Sequence, residues 1–465
     1  MRIRIIVSYV PRYRAGHRFQ FVPPVTGIHL AALVPEGHEV EVVHEQIAPA
    51  PLDDLPDLVA ISFFSGFARR AYEVADAYRA LGVRVVAGGP HASYWPEEAL
   101  AHFDSVVIGE ADEAWPRLIA DAERGRLERA YHGSAVPLEG LPMPRYDLLE
   151  PEFVVPRVLQ ATRGCPFRCT FCTVPDLNPG FRVRPVGDVV RDIAQSRFRN
   201  PLQDKVAWFW DDNLLVQRRW AKELLREMRG LKTWWLTQAS IDITKDAELL
   251  DLMQESGCIG IFLGIESLDA EGLASVDKRQ NKVSQYRDAI ARLHDRGICV
   301  MAGFIAGLDD QTPETVVGMA DRLQGLGIDV PFLSILTPFR GTPLYDDMLR
   351  AGRVLPDRDW PHYNGYNVAF EPARMSPAEL LAAHRALWQR AFSPRAVLGR
   401  LARGAAQLRP GALMLSAAMN GFYGHKQVRG NLPAEAAVGG AHRIAHPDPA
   451  EPPRRLVTLS RRAAA

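Results

Sequence analysis

The chain has no excess of charge of either sign: 55 lysines and arginines stand against 55 aspartates and glutamates in 465 residues. Such a balance offers no overall electrostatic footprint for a nucleic acid. Cysteine is scarce, at five residues, and three of them crowd into the single stretch Arg163–Cys172. That distribution excludes a disulfide framework and indicates a reducing compartment. No window approaches the roughly 18 apolar residues of a membrane span. The start, Met1-Arg2-Ile3-Arg4-Ile5-Ile6-Val7, lacks the long apolar stretch and cleavage site of a secretory signal and reads as a first strand. The expected location is the cytoplasm. No internal repeat stands out beyond a βα rhythm.

What is present is ample apolar material. At 47% hydrophobic residues, a chain of this length can bury two or three cores. Residues 1–145 alternate β-rich runs, Ile3–Ser8, Glu39–His44, Asp57–Phe63, Val83–Ala87 and Asp104–Ile108, with helical patterns at Arg69–Leu81 and Glu113–Ala122. Alternation of this kind predicts an α/β domain with a doubly wound parallel sheet, which binds ligands at the carboxyl ends of its strands. Two of those ends carry Phe64-Ser65-Gly66-Phe67 and Gly88-Gly89-Pro90-His91. The glycine pair would let backbone approach a bulky ligand, or would simply turn the chain.

The rhythm continues through residues 146–345. Strands are expected near Arg157–Thr162, Val206–Trp210, Trp234–Gln238, Gly260–Gly264, Val300–Ile305 and Phe332–Leu336. Helices are expected near Val186–Arg197, Arg218–Arg229, Asp246–Glu255, Val283–Arg296 and Pro313–Leu326. Residues 346–425 read as a helical extension, with a capping box at Ser376-Pro377-Ala378-Glu379. Residues 426–465, rich in proline, glycine, alanine and arginine, read as a disordered tail.

The chemistry concentrates in Arg163-Gly164-Cys165-Pro166-Phe167-Arg168-Cys169-Thr170-Phe171-Cys172. Three thiolates with no nearby fourth can hold an iron–sulfur cubane and leave one iron without a protein ligand, whereas such clusters normally take four. A vacant position makes a metal site reactive instead of purely structural. A zinc knuckle is the competing explanation, but structural zinc takes four protein ligands, and no cysteine or histidine follows in residues 173–202. Cys258 and Cys299 lie in apolar runs and read as small buried hydrophobes.

The cysteine spacing, with an aromatic before the last thiol, resembles that of the radical SAM superfamily. The resemblance implies a 4Fe-4S cluster on Cys165, Cys169 and Cys172, its free iron chelated by S-adenosylmethionine (SAM). It also implies a partial (β/α)6 barrel, reductive cleavage to methionine and a 5′-deoxyadenosyl radical, and an external electron donor such as flavodoxin or ferredoxin. The stretches Gly88–Ser93, Asp104–Glu110 and Pro142–Leu149 make residues 1–145 resemble the Rossmann-like cobalamin-binding domain of one class of these enzymes. Ser65, Gly88 and Gly89 would then face cobalamin. The loop Ser8–Gly16 departs from the pattern, lacking the Asp-x-His-x-x-Gly that ligates cobalt from below.

Further roles follow from the same resemblance. Phe171 would pack near the adenine, or anchor the loop. Asp211, in Trp210-Asp211-Asp212-Asn213, would receive the SAM amino group or position substrate, or the acids would cap a helix, as Asn213 also could. Gln238 and Ser240 suit the methionyl moiety, or a turn. Glu266 would accept hydrogen bonds from the ribose hydroxyls, or pair with Lys278 or Arg279. The strand end Gly303–Leu308 would flank the adenine with apolar side chains, and Trp360, Tyr363 and Tyr366 would cap the barrel mouth or pack in the core. The expected activity is a cobalamin-dependent methylation of an unactivated carbon in a lipid, tetrapyrrole or secondary metabolite. Cyclisation or rearrangement without net methyl transfer is the enzymatic alternative, and a metal-knuckle interaction protein the non-enzymatic one. A lipid substrate would bring peripheral membrane contact.

Overall fold

The computed structural model describes residues 1–9, 21–428, 444–453 and 455–456. The chain divides into two compact units, Met1–Pro166 with Thr173–Pro185 and Ile444–Ala465, and Phe167–Cys172 with Val186–Arg443. The expected boundaries at 145 and 345 do not coincide with this division. The first unit takes in segments beyond 145, and the C-terminal helices share a unit with the strands before them.

The first unit is built on six parallel strands: β1 (Arg2–Val7), β2 (Glu39–His44), β3 (Leu58–Ser62), β4 (Arg84–Gly88), β5 (Ser105–Ile108) and β6 (Ala130–His132). Their order is β2-β1-β3-β4-β5-β6. The order reverses between β1 and β3, so the crevice of a doubly wound sheet opens at their carboxyl ends. The strands read as near-continuous apolar runs because helices cover both faces. Ile3, Ile5, Leu58 and Val86 are buried with Trp115, Leu118 and Ile119 of helix Ala114–Glu123. Strand β6 and helix Val25–Ala32 were not anticipated; both are short, and β6 has only three residues.

The expected strand Arg157–Thr162 breaks into two-residue strands, Val158–Leu159 and Thr162–Arg163. The second pairs antiparallel with Arg182–Val183. The described part of the tail is not free chain: Ile444 is buried, the His446 ring lies 6.0 Å from that of Trp95, and the Leu456 amide donates to the Asp176 carboxylate. The rest of the expected disordered segment lies outside the described residues, as does most of the Ser8–Gly16 loop.

In the second unit the parallel strands β7 (Val206–Phe209), β8 (Trp234–Ala239), β9 (Cys258–Glu266), β10 (Cys299–Ala306) and β11 (Val330–Ile335) lie side by side in chain order. Helices Arg218–Met228, Ala247–Glu255, Tyr286–His294 and Pro313–Leu326 connect them. Sequential order without reversal is the pattern of a (β/α) barrel wall, where chemistry gathers at the strands' carboxyl ends. Expected and observed elements agree to within a few residues. Val283–Arg296 is the main departure, splitting into a 3-10 turn and the helix Tyr286–His294. The capping box at Ser376 and Glu379 forms and starts helix Pro377–Ala391, followed by helices Pro394–Gln407 and Pro410–Val428. Among the described residues no helix is long and apolar enough to cross a membrane.

Candidate active site

At the carboxyl end of the first sheet, Ser65 opens a single 3-10 turn after β3 and is half-buried. Its hydroxyl lies 3.1 Å from His91 Nδ1. His91 is fully buried, and its Nε2 lies 2.8 Å from the Tyr72 hydroxyl, which donates to Glu98 at 2.9 Å. The two glycines after β4 differ. Gly89 has φ +91°, and a Cβ there would come within 3.0 Å of the Phe63 backbone. Its close approach on that side is to the end of β3 and the residue that follows it. Gly88 does face open space, with no heavy atom within 4 Å of where a Cβ would stand. At the ends of β1 and β2, the buried Glu45 carboxylate accepts from the Ser8 hydroxyl and the Tyr9 amide, and pairs with Arg70 at 2.7 Å.

The residues leading into the cysteines are anchored inside the first unit by charge. Arg163 is nearly buried and donates to Glu110 at 2.9 Å, to Asp112 at 3.0 Å and to Gln160 at 2.9 Å. His29 meets Asp112 at 3.0 Å, and Arg182 pairs with Glu110. Burial works against the Asp112 carboxylate, but hydrogen bonds from His29 and Arg163 outweigh it and hold its pKa below the ordinary value. Gly164 has φ +85°, and a Cβ would overlap the Gly180 carbonyl and come within 2.6 Å of that of Asn178. Only glycine permits that crossing. None of this network was anticipated, although an acid pair just after a strand and an arginine two residues before the first cysteine were visible signals.

Cys165 belongs to the first unit, Cys169 and Cys172 to the second. Among the described residues no three His, Cys, Asp or Glu side chains gather as a single metal ion would require. Within the second unit, Cys169 is buried and its sulfur lies 3.7 Å from the Gln280 side-chain amide. The Lys278 ammonium lies 2.9 Å from Glu266 and 5.9 Å from the centre of the Phe171 ring. Burial disfavours the Lys278 charge, but Glu266 together with the thiols of Cys169 and Cys172 outweighs it and raises the pKa. Cys169, Phe171, Cys172 and Glu266 thus share one cation.

Glu266 ends β9 with φ +64°, where the pairing with β10 shifts register. A non-glycine residue in the left-handed region costs on the order of 1 kcal/mol and marks a site worth attention. Two side chains latch the kink. Asn281 donates to the Gly264 and Ile265 carbonyls at 2.9 and 3.0 Å, and the Tyr286 hydroxyl donates to that of Ser267 at 3.2 Å.

The remaining strand ends divide between engaged and unassigned groups. Asp211 is fully buried after β7. Asn213 is not a helix cap: its side chain accepts from the Ser240 amide and donates to the Ser240 hydroxyl, both at 3.2 Å, tying β7 to β8. Ser240 in turn donates to Asp242, so its observed bonds build the turn. Gln238 is half-buried near the end of β8. After β10, Gly307 packs on Leu380 and Phe370, while the buried Gln311 side chain accepts from the Gly307 amide at 2.8 Å. Trp360 and Tyr363 are buried and 5.5 Å apart, packed as core residues. Cys258 and Cys299 are fully buried, and burial pushes the Cys258 thiol up to about 12.

These donor sets suit the expected groups. A cation and an amide donor beside these sulfurs complement the negative charge that metal-bound thiolates carry. Open space beside Gly88, next to the crevice of a doubly wound sheet, suits a large flat cofactor. Fold and donors together define a cofactor-binding α/β unit joined to a barrel-type redox unit.

Comparison with known proteins agrees. Residues 20–119 match the B12 binding domain and residues 159–323 the radical SAM superfamily. The chain is 30% identical over 390 residues to bacteriochlorophyllide d C-12(1)-methyltransferase of Chlorobaculum tepidum, covering 81% of this chain and 84% of that one. It is 28% identical over 404 residues to the hopanoid C-2 methylase of Rhodopseudomonas palustris, covering 82% and 73%. The structure of the radical SAM methyltransferase TsrM from Kitasatospora setae, with cobalamin and a [4Fe-4S] cluster bound, superposes with TM-score 0.61 at 19% identity, over 93% of this chain and 98% of that one. The chain belongs to the radical SAM superfamily, in the class that carries an N-terminal B12-binding domain. It is an enzyme of methyltransferase type, with a 4Fe-4S cluster, SAM and cobalamin as its cofactors.

Proposed function

We propose that this enzyme transfers a methyl group from SAM, by way of cobalamin, to an unactivated carbon of a tetrapyrrole. The substrate class rests on the comparison of relatives: identity to the bacteriochlorophyllide methyltransferase is 30% with 84% of that chain covered, against 28% and 73% for the hopanoid methylase. When bound, the cluster with SAM supplies a carbon radical able to take hydrogen from a C–H bond, and cobalamin supplies the methyl group.

The chain's own residues bind, orient and shield. Cys165, Cys169 and Cys172 hold the cluster, and the Lys278 ammonium offsets the negative charge of two of those thiolates. Phe171 packs against SAM. Glu266, its backbone kinked into place by Asn281 and Tyr286, accepts from the ribose hydroxyls; Asp211 and Gln238 receive the methionyl end. Ser240 serves them indirectly by holding the turn. A low-potential donor such as flavodoxin or ferredoxin supplies electrons, and the enzyme works in the cytoplasm, where thiols stay reduced.

The test is product analysis on anaerobically reconstituted protein with dithionite, methyl-labelled SAM and a bacteriochlorophyllide. Label in the pigment together with 5′-deoxyadenosine supports the proposal. Deoxyadenosine with an altered but unlabelled pigment would mean cyclisation or rearrangement. Label entering a hopanoid and not the pigment would move the substrate to the lipid class.

A further inference from the structure

The stretch Asp277-Lys278-Arg279-Gln280-Asn281 follows the short helix Ala270–Ser275 in the second unit. Asp277 has φ +52°, and the Lys278 amide donates back to the Leu273 carbonyl at 2.9 Å, so the chain reverses there. The turn is fastened to the cysteine loop, because the Thr170 amide donates to the Val276 carbonyl at 3.1 Å. Its side chains then part. That of Arg279 is 87% exposed, whereas Lys278 and Asn281 turn to Glu266 and to the backbone of its kink. Gln280 is half-buried and turns to sulfur. Its Nε2 lies 3.7 Å from Cys169 Sγ, the one hydrogen bond of this side chain among the described residues.

A metal-bound thiolate has no proton to give, so only the N–H end of the amide can face it. Such a bond stabilises negative charge on sulfur. That charge grows when an iron–sulfur cluster gains an electron, and hydrogen bonds to the sulfurs are among the determinants of cluster potential. We propose that Gln280 raises the reduction potential of the cluster by donating a hydrogen bond from its side-chain amide to the Cys169 thiolate. Gln280 acts through Cys169 and is a positioning residue. The inference rests on Cys169 being a cluster ligand, and adds which neighbour eases the entry of the electron. That entry takes one electron from a low-potential donor, moves no proton and breaks no bond. Lys278 adds positive charge to the same region, but its ammonium is paired with Glu266 at 2.9 Å; the contact to sulfur belongs to Gln280.

The experiment is a redox titration of the anaerobically reconstituted full-length protein, without SAM, at pH 8. Titanium(III) citrate is the reductant, the spin-resonance signal of the reduced cluster is the readout, and iron and sulfide are counted on the same samples. Gln280→Leu keeps the bulk and removes the donor. It is expected to lower the reduction equilibrium constant about 3- to 10-fold, the scale of one hydrogen bond. At 59 mV per tenfold for one electron, the potential becomes about 30–60 mV more negative. Gln280→Glu, which sets a carboxylate where the amide stood, should lower it further. An unchanged or raised potential in Gln280→Leu, with iron retained, would overturn the proposal and leave the cluster on its three cysteines. Should Gln280→Leu lose its iron, Gln280→Glu decides by the same criterion. Loss of iron from both would make Gln280 a support for the loop and overturn the proposal too. Unaltered protein that takes up no iron would remove the cluster from these cysteines, and the proposal with it.

Discussion

The two strand-end regions solve the same problem with different chemistry. At the edge of the first sheet, Ser65, His91 and Tyr72 stand along a line of hydrogen bonds that ends on the Glu98 carboxylate. At the ends of the second unit's strands, charge stands against charge: Glu266 pairs with Lys278, which also faces the thiols of Cys169 and Cys172. A line of hydrogen-bonding side chains suits a large cofactor bound by shape and scattered amides. Paired charges in a nearly dry setting suit a small zwitterion and an anionic cluster, since electrostatic interactions strengthen where water is excluded. The difference teaches where each region is fragile. Removing a link from that line costs a hydrogen bond, whereas removing one buried charge leaves its partner uncompensated.

The sharpest way to separate the regions is to change Cys165, Cys169 or Cys172 to alanine. Each should abolish the bound iron and deoxyadenosine formation while leaving hydroxocobalamin affinity in place, read by metal analysis and dialysis on the same samples. Arg163→Met tests the charged anchor of the first unit. With Glu110 and Asp112 buried and stripped of their shared cation, urea unfolding should show a loss of about 3–5 kcal/mol. Glu266→Gln should lower SAM affinity of the reconstituted enzyme about 10-fold or more by calorimetry, the scale of a hydrogen bond to a charged group. Corrinoid affinity should not change.

A smaller effect is expected from pH. Burial pushes His384 down to about 4, and its Nε2 meets the Leu333 carbonyl at 3.1 Å. The unfolded imidazole titrates near 6.5, so the unfolded chain binds the extra proton and stability falls as pH drops from there toward the folded value. At pH 5.5 the loss from this one group is about 1.2 kcal/mol relative to neutrality. His384→Gln should flatten that part of the profile in thermal unfolding. An unchanged slope would mean that the acid sensitivity resides elsewhere.

Periodicity revealed most strands and helices to within a few residues, because strands buried on both faces read as continuous apolar runs and helices carry their own caps, as at Thr312 and Ser376. It failed where elements are too short to show a period: β6, and the two-residue strands around Gln160. The thiol set was legible because it is local in the chain. Glu266 was legible as a candidate together with its pairing to Lys278, and that pairing is present. Asn213, Ser240 and Trp360 look like site residues in one dimension, yet their partners lie in a neighbouring strand end or in the core.

Spacing and rhythm by themselves determined the order of the two α/β regions and the three sulfurs, since each is a property of neighbours along the chain; the class of protein came from the resemblance those residues carry. Only the tertiary structure decided that Gly89 stands against the end of β3, that Arg163 joins Glu110 to Asp112, and that Ser65, His91 and Tyr72 fall in one line. Those are contacts between residues up to some fifty positions apart. Their energies depend on burial and on the direction of protons, and no linear pattern records either.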